Sequence, residues 1–177
     1  PHKGVAPLVP IWKEVIKKHP DAKLKVFSSM SLYGDVQPGE GENETITGLN
    51  GFEPSPFVPV YKELKELEGV EYSPCIDREE LLSHVQDAAF YIHPNVWEET
   101  FCVSLAEAMS CGCFPITSDI GALRETSQGL GKYVIMSGNN TPRGWEPDDT
   151  FINKFTQEVI TALDYFDRDR SNYEEAT

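Results

Sequence analysis

Apolar residues recur at helical spacing near the start of the chain, and farther along they alternate with short β-prone runs. The spacing predicts a first helix over about Val5 to Lys18, which His19 and Pro20 bring to an end. Pro10 lies inside this run and removes a backbone donor, so the helix begins either at Val5 or near Pro10. The next apolar run, Lys23–Ser28, predicts a strand.

The rest of the pattern alternates helices with strands. A stretch rich in Gly, Glu, Asn and Pro predicts an exposed loop at about residues 34–56. Later helices are predicted over about residues 57–68, 78–87, 102–110 and 150–166, with a helical turn over 121–126. Strands are predicted over residues 70–72, 89–92, 114–117 and 133–136. This alternation is typical of an α/β fold, a Rossmann-like parallel sheet with helices on both faces.

Local signals are clearest around the helix predicted over residues 78–87. Asp77 is its predicted N-cap, because its carboxylate can accept from the first free N–H groups of the helix. The predicted buried stripe of the helix consists of Leu81, Leu82 and Val85. The apolar run after it, Ala89–Ile92, predicts a compact buried strand.

Composition limits the class of protein. The chain has 177 residues and is 40% hydrophobic, enough for one domain with a substantial core. Its 29 acidic residues outnumber 15 Lys and Arg, and a net charge of −14 disfavours a nucleic-acid partner. No apolar run of about 18 residues or signal-peptide pattern occurs, so we expect a cytoplasmic protein.

The cysteines suggest reduced thiols rather than a disulfide framework or a metal site. Cys75 stands apart from Cys102, and Cys111 and Cys113 flank a single glycine. Common zinc sites separate paired cysteines by two or more residues, so we expect no metal there.

Candidate chemistry concentrates where the strand ending at residue 92 leads into the helix beginning at 102. Ligands of open parallel sheets bind outside the carboxyl ends of the strands. Glu99 and Glu107 lie eight residues apart across this junction. The free N–H groups of Phe101, Cys102 and Val103 would form a helix N-terminus suited to a diphosphate or to sugar hydroxyls. No glycine-rich dinucleotide or triphosphate loop occurs elsewhere.

Spacing alone also allows structural roles for these acidic residues. Glu99 could merely favour the helix dipole, and Ser104 with Glu107 could form a capping box. A glycosidase-like pair is disfavoured, because its carboxylates must face each other across a substrate. His93, at the end of a predicted strand, either contacts a ligand or has a structural role.

The segment from Glu98 to Glu125 resembles the signature of retaining glycosyltransferase family 4, also called group 1. That signature places two glutamates at E-x(7)-E across a strand–loop–helix junction, a spacing that Glu99 and Glu107 match. Further matches in order are the Lys3-Gly4 pair and, after the glutamates, Ala108-Met109, Gly112, Pro115 and Gly121 to Glu125. The resemblance covers about residues 3–136.

The resemblance implies the C-terminal, donor-binding half of a GT-B enzyme. Residues 1–167 would form this Rossmann-like domain and residues 168–177 a tail or linker. The first strand of this half and the N-terminal acceptor-binding domain would lie outside the chain, which alone would be inactive or nearly so. The enzyme would transfer a hexose from a UDP- or GDP-linked sugar, with retention and without a metal cofactor. The acceptor would be a glycan, a lipid or a protein, and membrane contact would come through the missing domain.

The resemblance also implies roles for individual residues. Glu99 and Lys3 would be catalytic, contacting hydroxyls of the transferred sugar and the diphosphate, respectively. Glu107 would bind the ribose hydroxyls. The remaining donor-binding positions would be the amides of Thr100, Phe101, Cys102 and Val103 for the sugar and diphosphate, and Ile76 and Arg78 for the nucleobase. Thr100 and Cys102 stand where the family often has glycine.

Two further functions stay open. A nucleotide-sugar epimerase shares the GT-B architecture and would bind a similar donor. A non-catalytic module that binds a nucleotide or a protein would not need Glu99.

Overall fold

A computed structural model describes residues 3–28, 58–73, 76–142 and 144–168. The loop predicted at residues 34–56 and the tail beyond residue 168 lie outside this described part. The helices are α1 (Val5–Lys18), α2 (Val58–Glu66), α3 (Arg78–Gln86), α4 (Val103–Ser110), α5 (Leu123–Thr126) and α6 (Asp149–Arg168). The strands are β1 (Leu24–Phe27), β2 (Val70–Ser73), β3 (Phe90–His93), β4 (Phe114–Ser118), β5 (Lys132–Val134), β6 (Gly138–Thr141) and β7 (Gly144–Pro147).

The major strands run parallel, which confirms the predicted α/β class. β1 pairs with β2, and β3, β4 and β5 form a second ladder in that order. The register sets His93 of β3 opposite Thr117 of β4, so both strands present their carboxyl ends at one edge. One edge of β1 and one edge of β3 have no ladder partner among the described residues.

The first helix begins at Val5 and continues through Pro10, so the alternative start near Pro10 is wrong. The helix tolerates the lost backbone bond because its opposite face is deeply buried, with Ile11 1% and Val15 0% exposed. Pro10 itself lies on the exposed face. Burial of the apolar stripe therefore determines where the helix begins, and the helix accommodates Pro10 on its exposed face.

The core is built where α1 packs on α6 and α6 packs on β4 and β5. Phe151 and Phe155 of α6 are fully buried, and their ring centroids lie 5.6 Å apart. At the end of α1, His19 lies between the carboxylates of Asp164 and Asp167, at 3.4 and 3.2 Å. Apolar burial and these polar contacts together hold the two longest helices against each other.

The region around α3 departs from the predicted burial. Asp77 caps the helix as predicted, its carboxylate accepting from the Glu80 N–H at 2.9 Å. No residue of α3 is buried, however, and Leu81, Leu82 and Val85 are only half-buried. β3 is likewise half-buried along its length, in agreement with a ladder partner on one side only.

The sequence pattern missed an antiparallel hairpin. β6 and β7 pair from Gly138 opposite Pro147 to Thr141 opposite Gly144. Its first strand is Gly-Asn-Asn-Thr, a run poor in β-formers, so propensity provides no signal there. Trp145 of β7 packs half-buried against the core, which ties the hairpin to the rest of the domain.

Within the described ranges, no helix combines the length and the apolar character that crossing a bilayer requires.

The cap of α6 provides a test of the fold. Asp148 accepts from Ser137 Oγ at 2.6 Å and from the Phe151 N–H at 2.9 Å, and these bonds hold its pKa below the ordinary 3.8. Because the carboxyl has a lower pKa in the folded state than in the unfolded state, its ionised form stabilises the fold at pH values above the unfolded-state pKa. That stabilisation is lost as the pH falls through the folded-state pKa.

We therefore expect Asp148→Ala to lower the thermal unfolding midpoint at neutral pH, with a difference from wild type that narrows below pH 3.8. Thermal unfolding across a pH series measures the difference. Asp149→Ala, which removes the neighbouring acidic side chain, is the control. A difference that is independent of pH would contradict the capping role.

Candidate functional site

A short loop joins β3 to α4, and a buried asparagine organises it. Asn95 is 0% exposed; its Nδ2 donates to the Trp97 carbonyl at 2.6 Å, and its Oδ1 accepts from the Trp97 N–H at 3.1 Å. Ser118 Oγ donates to the Asn95 carbonyl at 2.7 Å, which ties the loop to the end of β4. Sequence reasoning missed this residue, although an asparagine after a proline at a strand end is a turn signal.

The start of α1 lies directly on this loop. Gly4 has φ 100°, and a Cβ atom there would lie 2.6 Å from the Pro94 carbonyl oxygen. Only glycine permits so close a backbone approach in this conformation. The approach brings Lys3 Nζ to 2.9 Å from Glu99 Oε1, with the side chains 54% and 9% exposed. The structure therefore joins the two residues predicted to be catalytic.

Glu99 Oε1 is buried and accepts no hydrogen bond from the described residues, so its contact with Lys3 is an ion pair. The two charges attract strongly because they lie 2.9 Å apart and the Glu99 side chain is largely buried.

A second glycine contacts the loop from the side of α5. A Cβ atom on Gly121 would lie 2.6 Å from the Glu99 carbonyl oxygen, and the Ala122 N–H donates to the same oxygen at 2.8 Å. The backbone of Glu99 is thus held between the loop end of β4 and the start of α5. This contact gives a physical reason for glycine at this signature position.

The N-terminus of α4 faces outward from the loop. Cys102 is the N-cap and its side chain makes no capping bond. In the described part of the chain, the N–H groups of Phe101, Cys102 and Val103 donate no hydrogen bond. Phe101 and Val103 are each 58% exposed, whereas Cys102 is 4% exposed. The predicted row of free amides is therefore present at a helix end that favours negative charge.

The capping-box alternative for Ser104 and Glu107 is wrong. Cys102 is the N-cap, and Ser104 Oγ contacts Tyr91 Oη at 2.8 Å instead of a backbone N–H. Burial raises the pKa of Tyr91, so this phenol stays neutral.

A cavity of about 380 Å³ opens beside this helix end. Its lining combines the loop before α4 with the α5 region and consists of Thr100, Phe101, Ala106, Ala122, Glu125, Thr126 and Gln128. Of the predicted site residues, only Thr100 and Phe101 line it.

Glu107 forms a second ion pair farther along α4. Arg78 Nη2 lies 2.6 Å from Glu107 Oε1, and the side chains are 71% and 26% exposed. The predicted nucleobase residue thus contacts the predicted ribose residue. Ile76, half-buried, lies just before the Asp77 cap of α3. Sequence spacing carries no signal for the Arg78–Glu107 contact.

His93 ends β3 beneath the loop. Its Nε2 is buried without a hydrogen-bond partner in the described residues. Burial, aided by the nearby Lys3 charge, lowers the pKa of His93 to about 4, so the ring is neutral at pH 7. Donor atoms of His93, Glu99 and Cys102 all lie within 4.8 Å of one another.

The remaining cysteines of the described residues are structural in their contacts. Cys113 Sγ donates to the carbonyls of Val85 and Ala88, both at 3.3 Å, and burial raises the pKa of this thiol to about 11. Cys111 caps the C-terminus of α4 through its backbone N–H.

A family model described as glycosyl transferases group 1 matches residues 1–140 of this chain. The chain belongs to this family. A solved structure titled "Crystal structure of GtfA/B complex" is similar to this group 1 transferase chain, with a TM-score of 0.63 and 17% identity. The alignment covers 99% of this chain and 28% of that chain, so this group 1 chain spans little more than a quarter of it. The match shows a GT-B fold. No curated protein matches the sequence.

The close approach of Gly4 to Pro94 can be tested with a matched glycine. Gly112 has a similar φ of 93° but nothing within 4 Å of a Cβ atom, so Gly112→Ala measures backbone strain alone. We expect Gly4→Ala to lower the free energy of unfolding by about 1–3 kcal/mol more than Gly112→Ala. Urea denaturation measures both variants. Equal losses would show that the contact with Pro94 contributes nothing.

Proposed function

We propose that this chain forms the donor-binding domain of a retaining glycosyltransferase, which transfers a hexose from a nucleoside diphosphate sugar to an acceptor hydroxyl. The observation that carries the proposal is the ion pair of Lys3 with Glu99 beside the free amides of α4. Membership of the group 1 family supports a sugar donor and an acceptor as the two substrates.

The diphosphate of the donor would occupy the N-terminus of α4. The N–H groups of Phe101, Cys102 and Val103 have no partner in the described part and lie at the positive end of the helix dipole. Lys3, half-exposed at the rim, adds a full positive charge on the same side. As the bond to the sugar breaks, charge develops on the departing diphosphate, and these fixed donors would stabilise it.

Glu99 would accept hydrogen bonds from hydroxyls of the transferred sugar. Its side chain is 9% exposed, and its backbone is held through Gly121 and Ala122, so the carboxylate is positioned before the donor arrives. Sugar hydroxyls would replace Lys3 as the partner of this carboxylate, and Lys3 would turn to the phosphate. Such prepositioning lowers the entropic cost of binding in a productive geometry.

Glu107 would bind the ribose hydroxyls, with Ile76 and Arg78 near the base. A carboxylate accepts two hydroxyl hydrogen bonds, and Glu107 is partly exposed on the α4 face that Arg78 covers. Arg78 would then hold the Glu107 carboxylate in place, and its planar guanidinium would stack on the base. Uracil and guanine both remain candidate bases, and no metal cofactor is part of this proposal.

The acceptor, a glycan, lipid or protein, would bind to a separate acceptor-binding domain that closes over the donor. Closure would exclude water from the bond being transferred. We therefore expect the 177-residue chain to bind donor without catalysing transfer at an appreciable rate.

Donor binding is the first test. We expect UDP or GDP, with its glucose or mannose conjugate, to bind saturably in isothermal titration calorimetry, in a screen that also contains ADP. Glu107→Ala should weaken that binding about 10- to 100-fold, the loss typical of hydrogen bonds to a charged group. Glu79→Ala, an exposed glutamate in the first turn of α3, is the control. Equal binding by Glu107→Ala and wild type would contradict the ribose role.

Transfer in the complete enzyme tests the role of Glu99. We expect Glu99→Gln to lower kcat about 100-fold or more, because the neutral amide loses charged contacts with the sugar. Glu98→Gln, an exposed neighbour, controls for charge near the helix. Product analysis by NMR distinguishes transfer from epimerisation of the donor. Unchanged transfer by Glu99→Gln would contradict its role, and an epimerised donor would favour the epimerase alternative.

A further inference from the structure

Three side chains of different chemistry meet beneath the loop between β3 and α4. His93 ends β3, Glu99 lies in the loop, and Cys102 is the N-cap of α4. Their nitrogen, oxygen and sulfur donor atoms lie within 4.8 Å of one another. Imidazole, carboxylate and thiolate are the three ligand types that proteins use for zinc.

The donor atoms are poorly satisfied by the protein itself. His93 Nε2 is buried without a hydrogen-bond partner in the described part of the chain. Among the described residues, the hydrogen-bond partners of Cys102 Sγ are two hydroxyls, that of Ser104 at 3.4 Å and that of Tyr91 at 3.9 Å. A buried polar nitrogen without a partner is costly, and a bound ion would satisfy such a group.

We propose that His93, Glu99 and Cys102 form a binding site for a zinc ion. The Cys102 thiol would release its proton to solvent and bind as thiolate, leaving a water in the fourth position. One Zn²⁺, one carboxylate and one thiolate sum to zero charge, which suits a buried cluster. Zinc bonds of about 2.0–2.3 Å place tetrahedral ligand atoms about 3.5 Å apart, so the side chains need to close by about 1 Å.

Zinc in this site would occupy the carboxylate that now pairs with Lys3. The lysine side chain is 54% exposed, so its ammonium can turn to solvent at little cost. A second consequence, which rests on the proposed function, is that zinc and the donor sugar compete for Glu99. The ion would therefore inhibit donor binding rather than assist transfer.

Cobalt(II) is the probe for the site itself, because a tetrahedral cobalt thiolate gives charge-transfer and visible bands that zinc lacks. We expect the 177-residue chain titrated with cobalt chloride to show these bands, and zinc chloride to abolish them. Cys102→Ser should remove the charge-transfer band, whereas Cys111→Ser and Cys75→Ser should retain it. His93→Ala should weaken cobalt affinity about 10-fold or more.

Absence of the band in the wild-type chain, or its survival in Cys102→Ser, would overturn the zinc site. Circular dichroism confirms that each variant is folded, and Cys102→Ser changes only one atom of a buried side chain. This measurement uses no nucleotide, so it stands even where the proposed function fails.

Competition with the donor is measured separately, with the nucleotide identified by calorimetry. We expect zinc chloride to weaken its binding about 10-fold in wild type and Cys111→Ser, and less in Cys102→Ser. Zinc bound to the free diphosphate affects all three proteins equally, so the comparison isolates the protein site. An equal effect of zinc in all three would overturn competition at Glu99.

Discussion

The structure depends on one close backbone contact, the approach of Gly4 to the carbonyl of Pro94. This contact fixes where α1 begins relative to the end of β3, and α1 in turn packs on α6. A side chain at residue 4 would push the helix away and carry Lys3 with it. Packing in the hydrophobic core fixes the position of α1, and the Gly4 contact then places the Lys3 ammonium beside Glu99. The position of α1 and the placement of the Lys3 charge therefore have one origin.

Positive groups gather at the site although the molecule as a whole is negatively charged. The chain has a net charge of −14, yet the loop end of β3 combines the ammonium of Lys3 with the free amides of α4. At physiological salt, charges beyond about 8 Å are largely screened, so these near groups outweigh distant carboxylates. Burial keeps His93 neutral, so the positive field at the site comes from Lys3 and the α4 amides alone among these groups. An acidic protein can therefore have a site suited to an anionic ligand.

Periodicity and motif spacing predicted much of this molecule, and long-range contacts account for what they missed. The α/β class, the Asp77 cap and the junction that contains Glu99 follow from local patterns that the structure confirms. Nothing local indicates that Lys3 reaches Glu99, that Arg78 covers Glu107, or that His93 and Cys102 meet. These pairs depend on how helices cross over the sheets. The hairpin at residues 138–147 was missed because its first strand contains glycine and asparagine, whose pairing is set by tertiary contacts.

The loop from Pro94 to Glu99 receives its backbone contacts from distant parts of the chain. Gly4 approaches it from one end, Ala122 donates to Glu99 at 2.8 Å, and Trp145 donates to the Val96 carbonyl at 2.7 Å. Each contact closes a long stretch of chain into a loop. The conformational entropy of that stretch is lost before the contact contributes any stability. The loop therefore has its native contacts only when α1, α5 and the hairpin are packed around it. A molecule that lacks these contacts would have its helices and strands without an ordered loop at Glu99, so ligand binding there would report completion of the fold.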